Sequence, residues 1–152
     1  MLQDVRFRRA LSLAIDRSII NEFLYFGLAW VGNNTVLAES PLYRDDYRTR
    51  WARYNPEAAA ALLDDMGLVE RNDDGVRRLP DGRLLQIVVE TAGEQTEQVD
   101  VLELIEQDWR AVGVKLLVKP SHRDSLRARA AAGEAVISVW SGLENGVPRA
   151  DT

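Results

Sequence analysis

Phe7, Leu11, Ile15, Ile19 and Phe23 recur every four residues, with Ala10 and Ala14 beside them. That spacing draws one apolar stripe along a helix and predicts helix near 4–26. Asp4 can cap its start by accepting first-turn N–H groups, and Gly27 can end it. Asp16 is a second possible cap, so the stretch reads either as one helix or as two with a bend at 14–16. Another helix is expected near 56–66, capped by Asn55, opened by Pro56 and ended by Gly67. Residues 84–91 are apolar and β-branched, the pattern of a mostly buried strand. Near 97–112, Val101, Leu102, Ile105, Trp109 and Val112 fall on one helical face, and Gly113 stops it. A strand near 114–119 follows. Ser121 then caps a helix near 122–132 ended by Gly133, and a last strand is expected near 135–140. Turn signals at 72–75 and 80–83 bracket 76–79 as a small hairpin.

The order strand, helix, strand, helix, strand implies βαβ units with right-handed crossovers. The expected fold class is α/β. It is a three-layer-like lobe with a small, mostly parallel sheet (strands near 84–91, 114–119 and 135–140) flanked by the four helical segments, in one domain over 1–152.

Composition narrows the function. The chain has 152 residues, is 46% hydrophobic and 28% charged, and carries a net charge of −5. It is long enough to bury about 70% of its unfolded surface. An acidic balance disfavours a dedicated nucleic-acid binder, which must neutralise phosphates. With no cysteine, disulfides and thiolate chemistry are out. No apolar run is long enough to span a membrane, and no signal peptide is visible.

Little in the chain suggests catalysis. His122 is the lone histidine, and Asp124 and Ser125 beside it share one helical turn, an arrangement that rarely forms a triad. Asp73 and Asp74 read as turn residues before calcium ligands, because no further oxygen ligands follow at loop spacing. Asp64 and Asp65 read as solvated charges, as do Arg123, Arg127 and Arg129 on one helix edge. No catalytic residue, metal or cofactor is expected. Trp30, in the irregular stretch 28–46, reads either as a partly buried cover for the core or as a surface that stacks a ligand. The stretch Val139-Trp140-Ser141-Gly142-Leu143-Glu144-Asn145-Gly146-Val147-Pro148 opens from a strand end into a polar loop. In α/β sheets ligands bind beyond the carboxyl ends of strands, so this is either a ligand site or a turn around a buried Trp.

Four segments, in order, carry a resemblance. They are Arg6-x-Arg8-x-Ala10-Leu11-x-x-Ala14-Ile15-Asp16-Arg17, the helix from Tyr54-Asn55-Pro56 to Gly67-Leu68, Gln107-Asp108-Trp109 through Gly113-Val114, and Gly133-Glu134 through Trp140-Ser141-Gly142 and Asn145-Gly146. Together they resemble the bacterial family 5 extracellular solute-binding proteins, the dipeptide- and oligopeptide-type receptors of ABC importers. The resemblance implies that these residues form most of the second lobe of a longer, two-lobed protein. The solute lies between the lobes. The partners implied are a peptide or other small solute and ABC permease subunits. No nucleic acid is implied, and membrane contact comes only through the permease or a lipid anchor outside this segment. The implied location is periplasmic or extracellular.

The ligand-binding candidates are Trp140, Ser141, Gly142, Glu144, Asn145, Gly93, Glu94, Trp30 and Asn33. Two departures from the family pattern bear on the solute. Leu143 stands where peptide-binding members place an Asp, with Glu144 next, and the loop 92–95 has no Arg where dipeptide-type members have one. A carbohydrate or opine-like solute is therefore an alternative to a free-ended short peptide. The alternative of another class is a small intracellular α/β regulatory or enzyme domain.

Overall fold

Asp4 accepts the Arg6 backbone N–H at 2.8 Å and starts α1, Val5–Leu13. The computed structural model describes residues 1–93 and 96–139. The helical run bends where the second cap sits: Asp16 accepts the N–H groups of Ser18 and Ile19 and starts α2, Arg17–Tyr25. The bend re-phases the apolar stripe. Phe7 and Leu11 are buried in α1, but in α2 Ile20 takes the buried position while Ile19 and Phe23 are exposed. The even four-residue spacing therefore overstates the buried face. Phe26, in a left-handed conformation, and Gly27 then end α2.

α3, Pro56–Asp64, is capped by Asn55, whose side chain accepts the Ala58 N–H. It packs on α1 through small residues: Ala10, Ala14 and Ala59 are all buried, so the two backbones can approach closely. The expected hairpin appears as two antiparallel bridges, Arg71 to Arg77 and Arg78 to Leu84, with turns at Gly75 and Gly82.

The sheet has the order β2-β1-β3, with β1 at Gln86–Ala92, β2 at Lys115–Ser121 and β3 at Ser138–Val139. Both pairings are parallel; β1 and β2 run in register from Gln86↔Lys115 to Ala92↔Ser121. α4, Thr96–Ala111, links β1 to β2, and α5, Arg123–Ala131, follows β2. Alternation along β1 separates two faces. Ile87 and Val89 join Phe7, Leu11, Leu63, Leu102 and Trp109 in one core. On the other face Glu90 meets α5, where Arg129 clamps its carboxylate at 2.9 and 3.0 Å. This is the expected α/β lobe with helices on both faces of a parallel sheet.

Three expectations are corrected. Ser121 does not cap α5. Parallel pairing extends to the end of β2 and holds Ser121 in the strand, leaving its buried hydroxyl without a partner among the described residues. His122 takes the cap position and makes no side-chain cap bond. Asp64 is more than a solvated charge: it pairs with Arg77, which is 1% exposed and also donates to the carbonyls of Leu68 and Val112. Arg129 is likewise engaged with buried Glu90 rather than simply solvated.

Candidate functional site

The carboxyl ends of β1 and β2 meet at Gly93, whose N–H donates to the Ser121 carbonyl at 3.1 Å. A Cβ at Gly93 would lie 3.0 Å from the Pro120 Cβ, so the absence of a side chain permits this close approach. Just before it, fully buried Thr91 donates from Oγ1 to the Gln98 side chain at 2.8 Å, fixing the first turn of α4 to the strand end. Glu94 and Gln95 lie outside the described residues, as do Trp140, Ser141, Gly142, Glu144 and Asn145.

A second element reaches the same end of the sheet. The Tyr25 hydroxyl donates to Glu97 at 2.5 Å, joining the end of α2 to the start of α4. Acceptance by that carboxylate, helped by burial, holds the Tyr25 phenol up at about 12. The Asn21 amide then pairs with both backbone groups of Ala29, at 2.9 and 3.0 Å, and fixes the chain that leads into Trp30. Trp30 is 87% exposed, so it does not cover the core; its ring lies 5.6 Å from the Arg48 guanidinium carbon. With Tyr25, Ile20, Val31, Val101 and Ile105 it lines an apolar recess of about 250 Å³ between α2 and α4. Val101 and Ile105 line this recess, Ile105 also packing against the core that Leu102 and Trp109 enter.

Asn33 is half-buried. Its Nδ2 donates to the Arg50 and Tyr47 carbonyls at 2.7 and 3.2 Å, so its donors are used within the loop. Trp30 is thus tied through Asn21, Tyr25 and Glu97 to the start of α4, the helix that follows Gly93, and Asn33 staples the loop behind Trp30. Arg48, beside Trp30, was missed in sequence; an isolated arginine in an irregular loop carries no periodic or spacing signal. Among the described residues, no cluster of His, Cys, Asp and Glu is large enough to hold a metal ion, and no helix is long and apolar enough to cross a membrane.

The first and third of the segments behind the resemblance are joined by hydrogen bonds that hold the helices together. Trp109 Nε1 donates to the Leu11 carbonyl, Asp108 accepts the Asp16 N–H at 2.8 Å, and Arg17 donates to the carbonyls of Ser12 and Ala52. Burial, with the nearby Asp16 charge, raises the Asp108 carboxyl above its ordinary range.

The family model for bacterial extracellular solute-binding proteins, family 5 (middle), matches residues 1–152. A dipeptide-binding protein of Escherichia coli is 28% identical over 149 residues, covering 97% of this chain and 26% of that protein. An oligopeptide-binding protein, OppA, superimposes with a TM-score of 0.82 at 38% identity, covering 90% of this chain and 21% of that one. A mannohexaose-bound periplasmic oligopeptide-binding protein of an ABC transporter from Thermotoga maritima gives a TM-score of 0.70 at 26% identity, covering 84% and 25%. The chain thus spans between a fifth and about a quarter of the length of these relatives. Matched to the family model along its whole length and sharing the fold of solved relatives, the chain belongs to the family 5 bacterial extracellular solute-binding proteins.

Proposed function

We propose that this chain is one lobe of a two-lobed receptor that captures a peptide or similar small polar solute for an ABC importer. The observation that carries the reading is the meeting of two strand ends at Gly93, with exposed Trp30 tied to the start of the following helix α4 through Asn21, Tyr25 and Glu97. Backbone groups from Gly93 and an aromatic face from Trp30 suit a small polar solute with some apolar surface. Ser141, Gly142, Glu144 and Asn145 follow β3 in sequence and complete the proposed site with Trp140 and Glu94. Capture then proceeds by closure of the lobes about a hinge, and the closed form docks on permease subunits. The protein works outside the cytoplasmic membrane, in the periplasm or at the cell surface. Its family is one of solute-binding proteins rather than enzymes, and capture needs no covalent step.

A carbohydrate is the second reading. It is favoured by exposed Trp30, since a flat indole face stacks on sugar rings, and by the mannohexaose-bound relative. Calorimetry on the longer protein with tripeptides and with a mannose oligosaccharide separates the two. The proposal predicts saturable binding of a tripeptide. Binding of the oligosaccharide alone would move the assignment to sugars, and binding of neither would overturn it. The 152 residues alone are expected to bind more weakly than micromolar, because half a cleft leaves the solute's other face in water.

A further inference from the structure

We infer that Arg48, lying over the Trp30 ring, anchors a carboxylate of the solute; this rests on the capture reading above. The pair is built into its loop by two features. The Asn33 backbone N–H donates to the Arg48 carbonyl at 2.8 Å, while its side-chain amide donates to the neighbouring carbonyls of Tyr47 and Arg50. Gly32 supplies the room: a Cβ there would lie 2.5 Å from the Arg48 Cγ and 2.9 Å from its carbonyl oxygen. Residues 30–33 and 47–50 are therefore clasped so that Arg48 crosses the glycine and reaches the indole.

A guanidinium held over an indole ring by cation–π attraction still carries N–H donors that a planar, two-toothed acceptor can take. No carboxylate of the described residues pairs with Arg48, whereas Arg50, Arg77, Arg83 and Arg129 each have one. Arg48 lines an open cavity of about 590 Å³ together with Trp30, Asn34, Thr35, Tyr43 and Glu39. Glu39 makes no ion pair with Arg48, and its negative charge in the same cavity disfavours a bare inorganic anion. A solute with a carboxylate at one point and a cationic or donor group at another suits both. Trp30 also walls the apolar recess beside α4, so an anchored solute can extend an apolar group there. The free carboxyl end of a short peptide meets these demands.

The test uses the longer protein and two probes, an alanine-rich tripeptide with a free carboxyl end and the same tripeptide as its carboxyl-terminal amide. Wild type is expected to bind the acid at least about tenfold more tightly than the amide. Arg48→Gln should bring the two affinities within about threefold of each other, by weakening the acid and not the amide, and Arg48→Lys should recover part of the preference. Arg48 is exposed, so unchanged melting temperatures should accompany these changes. An acid-to-amide ratio that survives Arg48→Gln, or one near unity in wild type, overturns the anchor and leaves peptide capture standing. Failure of wild type to bind either probe removes the capture reading and the anchor together.

Discussion

The Trp109 indole N–H donates to the Leu11 carbonyl at 3.0 Å across the core, joining α4 to the last turn of α1. A helix leaves its final carbonyls without partners. Here each finds one. The Ala10 carbonyl accepts from Ala14 within the helix end, Leu11 from Trp109, Ser12 from Arg17, and Leu13 from the Asn55 N–H at 2.8 Å. Two distant sequence segments are thus one clasp at the α1–α2 bend.

The clasp predicts the cost of breaking it. Trp109→Ala should lose about 3–5 kcal/mol, from apolar burial and the cavity left behind. Trp109→Phe keeps much of the volume but strands the Leu11 carbonyl, at about 1–3 kcal/mol. Urea denaturation measures both; a loss below about 1 kcal/mol for the alanine variant would mean that Trp109 does not hold the helices together.

Two glycines with similar backbone angles give an internal comparison. Gly67 and Gly113 sit at φ of +79° and +87°, both left-handed. A Cβ at Gly67 meets nothing within 4 Å, whereas at Gly113 it would lie 2.7 Å from the Arg77 Cγ. Gly67→Ala should therefore cost only the conformational term of about 1–2 kcal/mol. Gly113→Ala should cost clearly more, because buried Arg77 must shift from the Val112 and Leu68 carbonyls. Equal losses in thermal unfolding would show that Arg77 is not held as described.

Glu90 links the sheet to α5. Hydrogen bonding and charge from Arg129, with a contribution from Lys119, hold its carboxyl below the ordinary range. A carboxyl that is more acidic folded than unfolded stabilises the fold fully above the unfolded pKa, and that stabilisation disappears as pH falls through the folded one. Glu90→Gln should accordingly lower the urea midpoint at neutral pH, and the gap to wild type should close under acid conditions. A gap independent of pH would contradict the pairing.

Asp108 has the opposite sign. Burial and the Asp16 charge raise its carboxyl, so the favourable state lies below the unfolded pKa and is lost as pH rises through the folded one. Asp108→Asn keeps an acceptor for the Asp16 N–H without the charge. It should be as stable as wild type or more stable at pH 7, with the difference vanishing as pH falls. A large loss at pH 7 would show that the charge itself is required.

Much of the scaffold was legible in the sequence because caps and periods are local. Asp4, Asp16 and Asn55 all cap as their residue types imply, and the three strands pair in the expected parallel sheet. What the sequence hid is tertiary. Nothing local says that Ser121 is drawn into β2 by pairing with Ala92, or that Arg77 is buried. The same holds for the site. Gly93 is marked by following a strand, but Arg48 acquires meaning only when Gly32 and Asn33 bring its stretch against Trp30.

The most direct test of the account is amide hydrogen exchange on the longer protein, with and without a bound tripeptide. Slowed exchange on binding is expected in 28–36 and 92–96, the segments around Trp30 and Gly93, and in 140–146. Protection confined to the hairpin at 70–84, or to the exposed side of α5, would place the solute elsewhere and contradict the assignment of the sheet's carboxyl end as the capture face.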